Sequence, residues 1–162
     1  MVLNTVLKKN IISLTIVFIV FLSDRVSKYI ILKLSQPLGE LNISVTSFLN
    51  FHLIWNNGIA FGLFSFEQDF YYNLFTLLII TITSIVIWLS YKADGLEKIS
   101  YLLIIGGSVG NIFDRILYSS VPDFIDISIN NFHWFIFNVA DIFISIGVVL
   151  LIILELIKKK IS

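Results

Sequence analysis

Residues 70–91 read FYYNLFTLLIITITSIVIWLSY, and this stretch decides the class of fold. It contains no charged residue, and Asp69 and Lys92 stand directly at its two ends. A helix of about 20 mostly apolar residues is long enough to cross the hydrocarbon core of a bilayer. The stretch therefore predicts a transmembrane helix.

The composition of the whole chain agrees with a membrane protein. Of its 162 residues, 57% are hydrophobic and 14% are charged, whereas soluble domains carry about 25% charged residues. Eleven basic and eleven acidic residues give a net charge of zero, which argues against nucleic-acid binding. The absence of cysteine excludes disulfides, thiolate metal sites and cysteine nucleophiles, and the chain has no zinc-helix or phosphate-loop motif. We expect a single domain without a metal or cofactor.

Three further apolar runs bring the number of predicted helices to four. The first run alone has the length of a signal-peptide core. It is not closed by a small-x-small cleavage site, however, and apolar residues resume as far as Leu32, so we expect an uncleaved helix. The predicted helices cover residues 11–34, 70–91, 99–117 and 135–157, with outer loops at 36–69 and 118–134.

The lysines predict the orientation of the chain in the membrane. Seven of them precede helix 1, join helices 2 and 3, or follow helix 4, whereas the two long loops contain acidic but no basic residues. The positive-inside rule then places both termini in the cytoplasm and both long loops outside. The seven are Lys8, Lys9, Lys92, Lys98, Lys158, Lys159 and Lys160.

The first outer loop has the pattern of a β-structure. Apolar and polar residues alternate over residues 41–46, which is typical of a strand. Residues 48–55 are too apolar for a solvated loop and are expected to lie on the membrane surface, and Asn57-Gly58 favours a tight turn. The predicted fold class is therefore an all-α integral membrane protein, with four transmembrane helices and a small β-rich outer (periplasmic) platform between helices 1 and 2.

Ionisable residues inside transmembrane helices are costly and often functional. Asp24 lies in predicted helix 1, Asp114 and Arg115 end helix 3, and Asp141 lies early in helix 4. Some of these groups could simply neutralise neighbours, since Asp24 stands four residues before Lys28 and Asp114 adjoins Arg115.

Asp141 and Asp123 lack any such basic neighbour in the sequence. Asp123 lies in the second outer loop, just before helix 4. Two carboxyls that share a site cannot both ionise readily, so one can take a proton from water while the other polarises a carbonyl. This pair is the first candidate for catalysis.

Other functions remain open from these residues alone. Gly107-Ser108-Val109-Gly110 could carry a serine nucleophile, but both histidines, His52 and His133, lie in the outer loops. A small-residue contact between helices explains that segment better. A proton-coupled transporter could use Asp24, Asp114 and Asp141 as a relay, and a purely structural membrane subunit is the third possibility.

Five motifs follow one another along nearly the whole chain. They are Asp24-Arg25-Val26-Ser27-Lys28, Asn56-Asn57-Gly58-Ile59-Ala60-Phe61, residues 106–115 (GGSVGNIFDR), Val121-Pro122-Asp123-Phe124 and Phe137-Asn138-Val139-Ala140-Asp141. Together they resemble the motifs of the bacterial lipoprotein signal peptidases, which are type II aspartyl membrane peptidases. One departure is Ile59, where the family usually has alanine, and it affects the expected shape of a substrate subsite.

The resemblance implies an aspartic endopeptidase of the bacterial inner membrane, active near the outer face. It would cut the signal peptide from diacylglyceryl-modified prolipoproteins just before the lipidated cysteine, with Asp123 and Asp141 as catalytic residues. Prolipoproteins and membrane lipid would be its partners, with no nucleic acid, no cofactor and no need for more than a monomer. The residues implied to bind substrate or support the site are Asn56, Gly58, Asn111, Arg115, Asn138, Asp24 and Asp114.

Overall fold

The computed structural model describes residues 2–36, 41–58, 69–129 and 132–161. Within these ranges, the chain forms long helices and two pairs of strands. In chain order the elements are α1 (Val2–Ser35), β1 (Asn42–Ser44), β2 (Leu49–Asn56), α2 (Asp69–Lys92), α3 (Gly95–Tyr118), β3 (Val121–Ile129), β4 (Phe132–Phe137) and α4 (Val139–Ile161).

Three of the helices have the length and apolar character needed to cross a membrane, within Leu7–Ser35, Phe70–Lys92 and Val139–Lys160. The remaining helix, α3, contacts all three of the others. It carries charged residues near both ends and buries a continuous row of small and polar residues in its second half. Its surroundings are therefore largely protein, which explains why its sequence is less apolar than those of its neighbours.

Two ion pairs bring the basic residues together at one end of the helix bundle. Lys9 of α1 contacts Asp94, in the turn between α2 and α3, at 3.1 Å. Lys158, near the end of α4, contacts Glu97 in the first turn of α3 at 2.8 Å. The start of α1, the α2–α3 turn and the end of α4 consequently share one end of the bundle.

A four-stranded antiparallel sheet has the strand order β1-β2-β3-β4. Its strands lie in the segments between α1 and α2 and between α3 and α4, at the other end of the bundle. The prediction of a platform between helices 1 and 2 was therefore wrong in part, because β3 and β4 come from the segment between α3 and α4. The missed signal is the alternation of isoleucine with polar residues over 125–129. The central pair, β2 and β3, aligns Ile54 with Asp123 and Asn56 with Val121.

The last helix begins at Val139, not at residue 135 as predicted, because residues 132–137 form β4. Asn138 caps α4: its Oδ1 accepts a hydrogen bond from the Asp141 N–H, and its own N–H donates to Asp141 Oδ2, both at 3.1 Å. This reciprocal pair is a capping box, which satisfies backbone groups that a helix start leaves free. It places Asp141 in the first turn of α4.

The sheet is attached to α1 through a small apolar core. Ile31 of α1, Leu41 and Phe124 of β3 are buried together, and Phe51 of β2 and Val139 pack against them. Because β2 and β3 both contribute, this core fixes the sheet relative to the helices that carry the ionisable residues.

The glycines of α3 allow its close approach to α1 and α4. A Cβ on Gly107 would lie 2.5 Å from the Ala140 carbonyl oxygen, and one on Gly110 would lie 2.7 Å from Asp24 Oδ2. Gly106 meets Val20 of α1 in the same way. The expected small-residue contact is thus made by the glycines of this segment.

We expect Gly107→Ala to destabilise the protein by about 1–3 kcal/mol, because the added methyl group meets backbone that cannot rotate away. Thermal unfolding of the purified protein in detergent checks this. Ser84→Ala, on the exposed side of α2, is the control, and equal unfolding midpoints for the two variants would contradict the close packing of α3 on α4.

Candidate active site

A buried cluster of four charges joins α1 to α3. Asp24 and Asp114 are both fully buried. Lys28 Nζ lies 2.8 Å from Asp24 Oδ1 and 2.6 Å from Asp114 Oδ2. The Arg25 guanidinium contacts the same two carboxylates, each at 2.5 Å. Two cations thus balance two anions, as burial of charge requires.

The cluster shows which of the ion pairs suggested by the sequence are formed. Asp24 does pair with Lys28, but Asp114 pairs with Lys28 and Arg25 of α1 rather than with its neighbour Arg115. Consecutive helical residues point about 100° apart, so Asp114 faces α1. Arg115 instead donates to the carbonyl oxygens of Asn111, at 3.2 Å, and Gly58, at 3.0 Å.

Asp24 also reaches the start of α4. Its Oδ1 accepts a hydrogen bond from the Ala140 N–H at 3.1 Å. A carboxylate at a helix N-terminus satisfies a free N–H and interacts favourably with the helix dipole. The ionic cluster therefore holds three helices, and its bond to Ala140 lies one residue from Asp141.

We expect Asp114→Asn to lower the free energy of unfolding by about 3–5 kcal/mol, since it leaves buried cations without their partner. Asp94→Asn removes a carboxylate that also pairs with a lysine, but whose side chain is 81% exposed, so its effect should be at most about 1 kcal/mol. Chemical denaturation of both variants in detergent makes the comparison. Similar losses would show that the cluster adds nothing beyond a surface pair.

Asp123 extends from β3 into the space between the sheet and the helices. Its side chain is 1% exposed. Asn138 Nδ2 donates to Asp123 Oδ1 at 2.6 Å, and Asn56 Nδ2 donates to Oδ2 at 2.8 Å. The contact with Asn56 follows from the β2–β3 register, because the two residues are diagonal neighbours on one face of the sheet.

Like Asp123, Asp141 accepts one hydrogen bond on each carboxyl oxygen. Asn111 Nδ2, from α3, donates to Asp141 Oδ1 at 2.8 Å, and the Asn138 N–H donates to Oδ2. Each oxygen of the two carboxyls thus accepts one hydrogen bond from an amide. Asn138, which is fully buried, contacts both aspartates.

The two aspartates line one cavity of about 220 Å³. Its walls come from β2, β3 and three helices, with polar groups gathered around the aspartates and apolar side chains on α2 and deeper along α4. The lining residues are Asn56, Phe75, Ile79, Ser108, Asn111, Arg115, Val121, Asp123, Asn138, Asp141 and Ile144.

Burial raises the pKa of Asp123 from its usual value to about 7, and the nearby charge of Asp141 adds to the effect. Hydrogen bonds from Asn56 and Asn138, and the charge of Lys28, oppose it. A carboxyl with this pKa is substantially protonated near neutral pH, so it can donate a proton or a hydrogen bond.

Most residues singled out from the sequence come together here. Six of them line the cavity: Asn56, Asn111, Arg115, Asp123, Asn138 and Asp141. Gly58 lies beside it, with its N–H on Asn56 Oδ1 at 2.9 Å. Asp24 and Asp114 lie behind it in the ionic cluster. Ile59, Ala60 and Phe61, which complete one of the motifs, lie outside the described residues.

Other expectations were changed by the structure. Ser108 also lines the cavity, while His52 lines a separate polar cavity on the sheet. The role of Arg25 in the ionic cluster was missed, although a charged residue within an apolar run was a visible signal. Among the described residues, no three His, Cys, Asp or Glu side chains are grouped so that they could hold a metal ion.

The fold and the cavity define a helical membrane protein with two carboxyls at one end of its bundle. Residues 16–157 match the family model described as signal peptidase (SPase) II. The lipoprotein signal peptidase of Pelagibacter ubique (strain HTCC1062) is 49% identical over 93% of this chain and 90% of its own. That of Thermodesulfovibrio yellowstonii is 38% identical over 84% of this chain and 88% of its own.

Two solved structures have a similar fold. A bacterial membrane enzyme determined by the in meso method at 2.3 Å resolution has a TM-score of 0.74 and 32% identity, covering 91% of this chain and 88% of that one. A second such enzyme, at 1.9 Å, has a TM-score of 0.70 and covers 89% and 92% of the two chains. The chain belongs to the signal peptidase II family. It is accordingly a peptidase, integral to a bacterial inner membrane.

Proposed function

We propose that this protein is an aspartic endopeptidase that removes signal peptides from diacylglyceryl-modified lipoprotein precursors, cutting before the lipidated cysteine. Membership of the family and the names of its relatives support the substrate class. The observation that carries the mechanism is the placement of Asp123 and Asp141 on one cavity, joined through Asn138.

The environments of the two carboxyls favour different protonation states. Asp141 lies in the first turn of α4, where its carboxylate accepts a backbone N–H and interacts favourably with the helix dipole. Asp123 lies on a strand, almost fully buried, and its pKa is raised to about 7 by burial and by the charge of Asp141. We therefore assign the shared proton to Asp123 and the negative charge to Asp141.

The reaction follows from this assignment. Asp141 takes a proton from a water molecule as the water oxygen attacks the scissile carbonyl carbon, while Asp123 donates its proton to the carbonyl oxygen. The resulting tetrahedral diol collapses when the carbonyl re-forms and the amide C–N bond breaks. Asp141 gives its proton to the leaving nitrogen and Asp123 regains its own, so no covalent intermediate forms and no cofactor takes part.

The size of the cavity limits how much of a lipid-modified peptide it can hold. A cavity of about 220 Å³ accommodates a peptide segment but not two acyl chains, so the lipid would remain in the surrounding bilayer. Arg115 lines the cavity, and two of its donors are occupied by carbonyl oxygens. It can donate a further hydrogen bond to the substrate backbone. With the lysine-rich end in the cytoplasm and α3 as the fourth span, the cavity lies at the outer face of the membrane.

The ionic cluster argues against the transporter alternative. A proton relay needs carboxyls that gain and lose protons in turn. Asp24 and Asp114 are each held by two cations within hydrogen-bond distance, an arrangement typical of a structural cluster of buried ion pairs. Among the described residues, the hydrogen bonds to Asp123 and Asp141 come from neutral amides and not from cations.

Asp123→Asn and Asp141→Asn should each lower cleavage of a diacylated precursor peptide by at least about 100-fold, because general acid–base catalysis contributes this much or more. Asp126→Asn is the matched control. Asp126 lies on the same strand and is equally buried, but lines the other cavity, so we expect its activity to stay within about tenfold of the wild type. Wild-type rates in either catalytic variant, at equal amounts of folded protein, would refute the mechanism.

The rate should also depend on pH through Asp123. Since the protonated form is required, kcat/KM should fall as pH rises through about 7. Asn56→Ala removes a hydrogen bond that lowers this pKa, so the alkaline limb should move to higher pH while the maximal rate falls. Initial rates across pH 5–9 measure both effects, and an alkaline limb that stays in place or moves down would contradict the assignment.

A further inference from the structure

In each of the three asparagines around the aspartates, the side-chain oxygen accepts a hydrogen bond. An asparagine amide has an acceptor oxygen on one side and a donor NH₂ on the other, so a donor fixed on the oxygen also fixes the direction of the NH₂. Asn56 Oδ1 accepts the Gly58 N–H, and Asn138 Oδ1 accepts the Asp141 N–H. In both, a backbone donor turns the NH₂ towards Asp123.

Asn111 is held differently. Its Oδ1 accepts Lys28 Nζ at 3.0 Å and Asn138 Nδ2 at 3.2 Å. The Asn138 NH₂ also makes a shorter bond, 2.6 Å, to Asp123, and Lys28 is the closer of the two donors to Asn111 Oδ1. The lysine ammonium has three donors and no acceptor, and it cannot tolerate the NH₂ of Asn111 in place of the oxygen.

We propose that Lys28 is a positioning residue for the reaction, acting through Asn111. By holding Asn111 Oδ1, the ammonium directs Asn111 Nδ2 onto Asp141, where it stabilises the carboxylate that activates water. Without Lys28, Asn111 Oδ1 would keep the longer bond from Asn138 Nδ2, and the amide could more easily turn its NH₂ towards the carboxylates of the ionic cluster and its oxygen towards Asp141. This inference rests on the proposed function.

The position of Lys28 supports this role. Its side chain is 2% exposed, and its ammonium contacts Asp24, Asp114 and Asn111 together. The carboxylates of the cluster fix the ammonium, and the ammonium in turn fixes the amide. The contact between Lys28 and Asn111 therefore links the side chains of the ionic cluster to those of the catalytic pair, beside the backbone contact of Asp24 with Ala140.

Arg25 is a matched control for charge. It carries the same charge as Lys28 and contacts the same two carboxylates. Its remaining hydrogen bond goes to the Gly110 carbonyl oxygen at 3.2 Å, not to Asn111. Loss of either cation weakens the cluster, but only loss of Lys28 releases the Asn111 amide.

The test is a double-mutant cycle on the full chain in detergent, with a synthetic diacylated precursor peptide as substrate. Lys28→Met and Arg25→Met are each made in the wild type and in Asn111→Ala. We expect Lys28→Met to lower kcat by about 10- to 100-fold, as misplacement of a catalytic group does, with KM changed by less than about threefold. In Asn111→Ala the same change should cost less than about threefold more, because interacting residues are not additive.

Arg25→Met should lower kcat by the same factor in both backgrounds. A penalty for Lys28→Met that is equal with and without Asn111 would overturn the proposal, and so would an Arg25 penalty that disappears in Asn111→Ala. Thermal midpoints control for folding. If Lys28→Met does not fold, Lys28→Arg, which retains the charge and the donors, takes its place. The loss of kcat that it causes is then compared between the wild type and Asn111→Ala in the same way.

The outcomes separate this proposal from the proposed function. If Asp123→Asn cleaves at the wild-type rate, the aspartic mechanism fails whatever the cycle shows. If Asp123→Asn is inactive and the cycle is additive, only the role of Lys28 fails.

Discussion

The structure depends on the burial of Asp24. This carboxylate lies in α1, yet it accepts the Ala140 N–H of α4 and contacts Lys28 and Arg25, which in turn hold Asp114 of α3. A buried charge without partners would be very costly, so these groups must be placed together for the helices to pack. The same contacts fix the first turn of α4, where Asp141 lies.

Two neighbouring sites use carboxyls in opposite ways. In the ionic cluster, cations balance Asp24 and Asp114, which suits a structural role. In the cavity, amides are the only donors to Asp123 and Asp141 among the described residues, and burial together with the charge of Asp141 raises the pKa of Asp123. Asn111 lies between the sites and contacts both Lys28 and Asp141. One amide thus separates the cations of the ionic cluster from the proposed catalytic pair.

Much of this arrangement could be predicted from local sequence. The charge-free run at 70–91 indicated a span without reference to any other element, and Asp123 and Asp141 stood out because no basic residue lies near them in the sequence. The extent of the sheet was not predicted, because residues 132–137 are apolar enough to continue a helix. Asn138 decides the boundary by capping α4, and that signal was weaker than the apolar run around it.

The sequence by itself determined the membrane class, the approximate helices and the candidate catalytic pair, because these depend on length, hydropathy and charge along the chain. The tertiary structure decided which charges pair and which way each amide points. Asp114 adjoins Arg115 but binds Arg25 and Lys28, since helix geometry turns neighbouring side chains apart and packing brings distant ones together. Asn111 faces Asp141 for the same reason: its partners are set by three helices at once, and no local pattern encodes them.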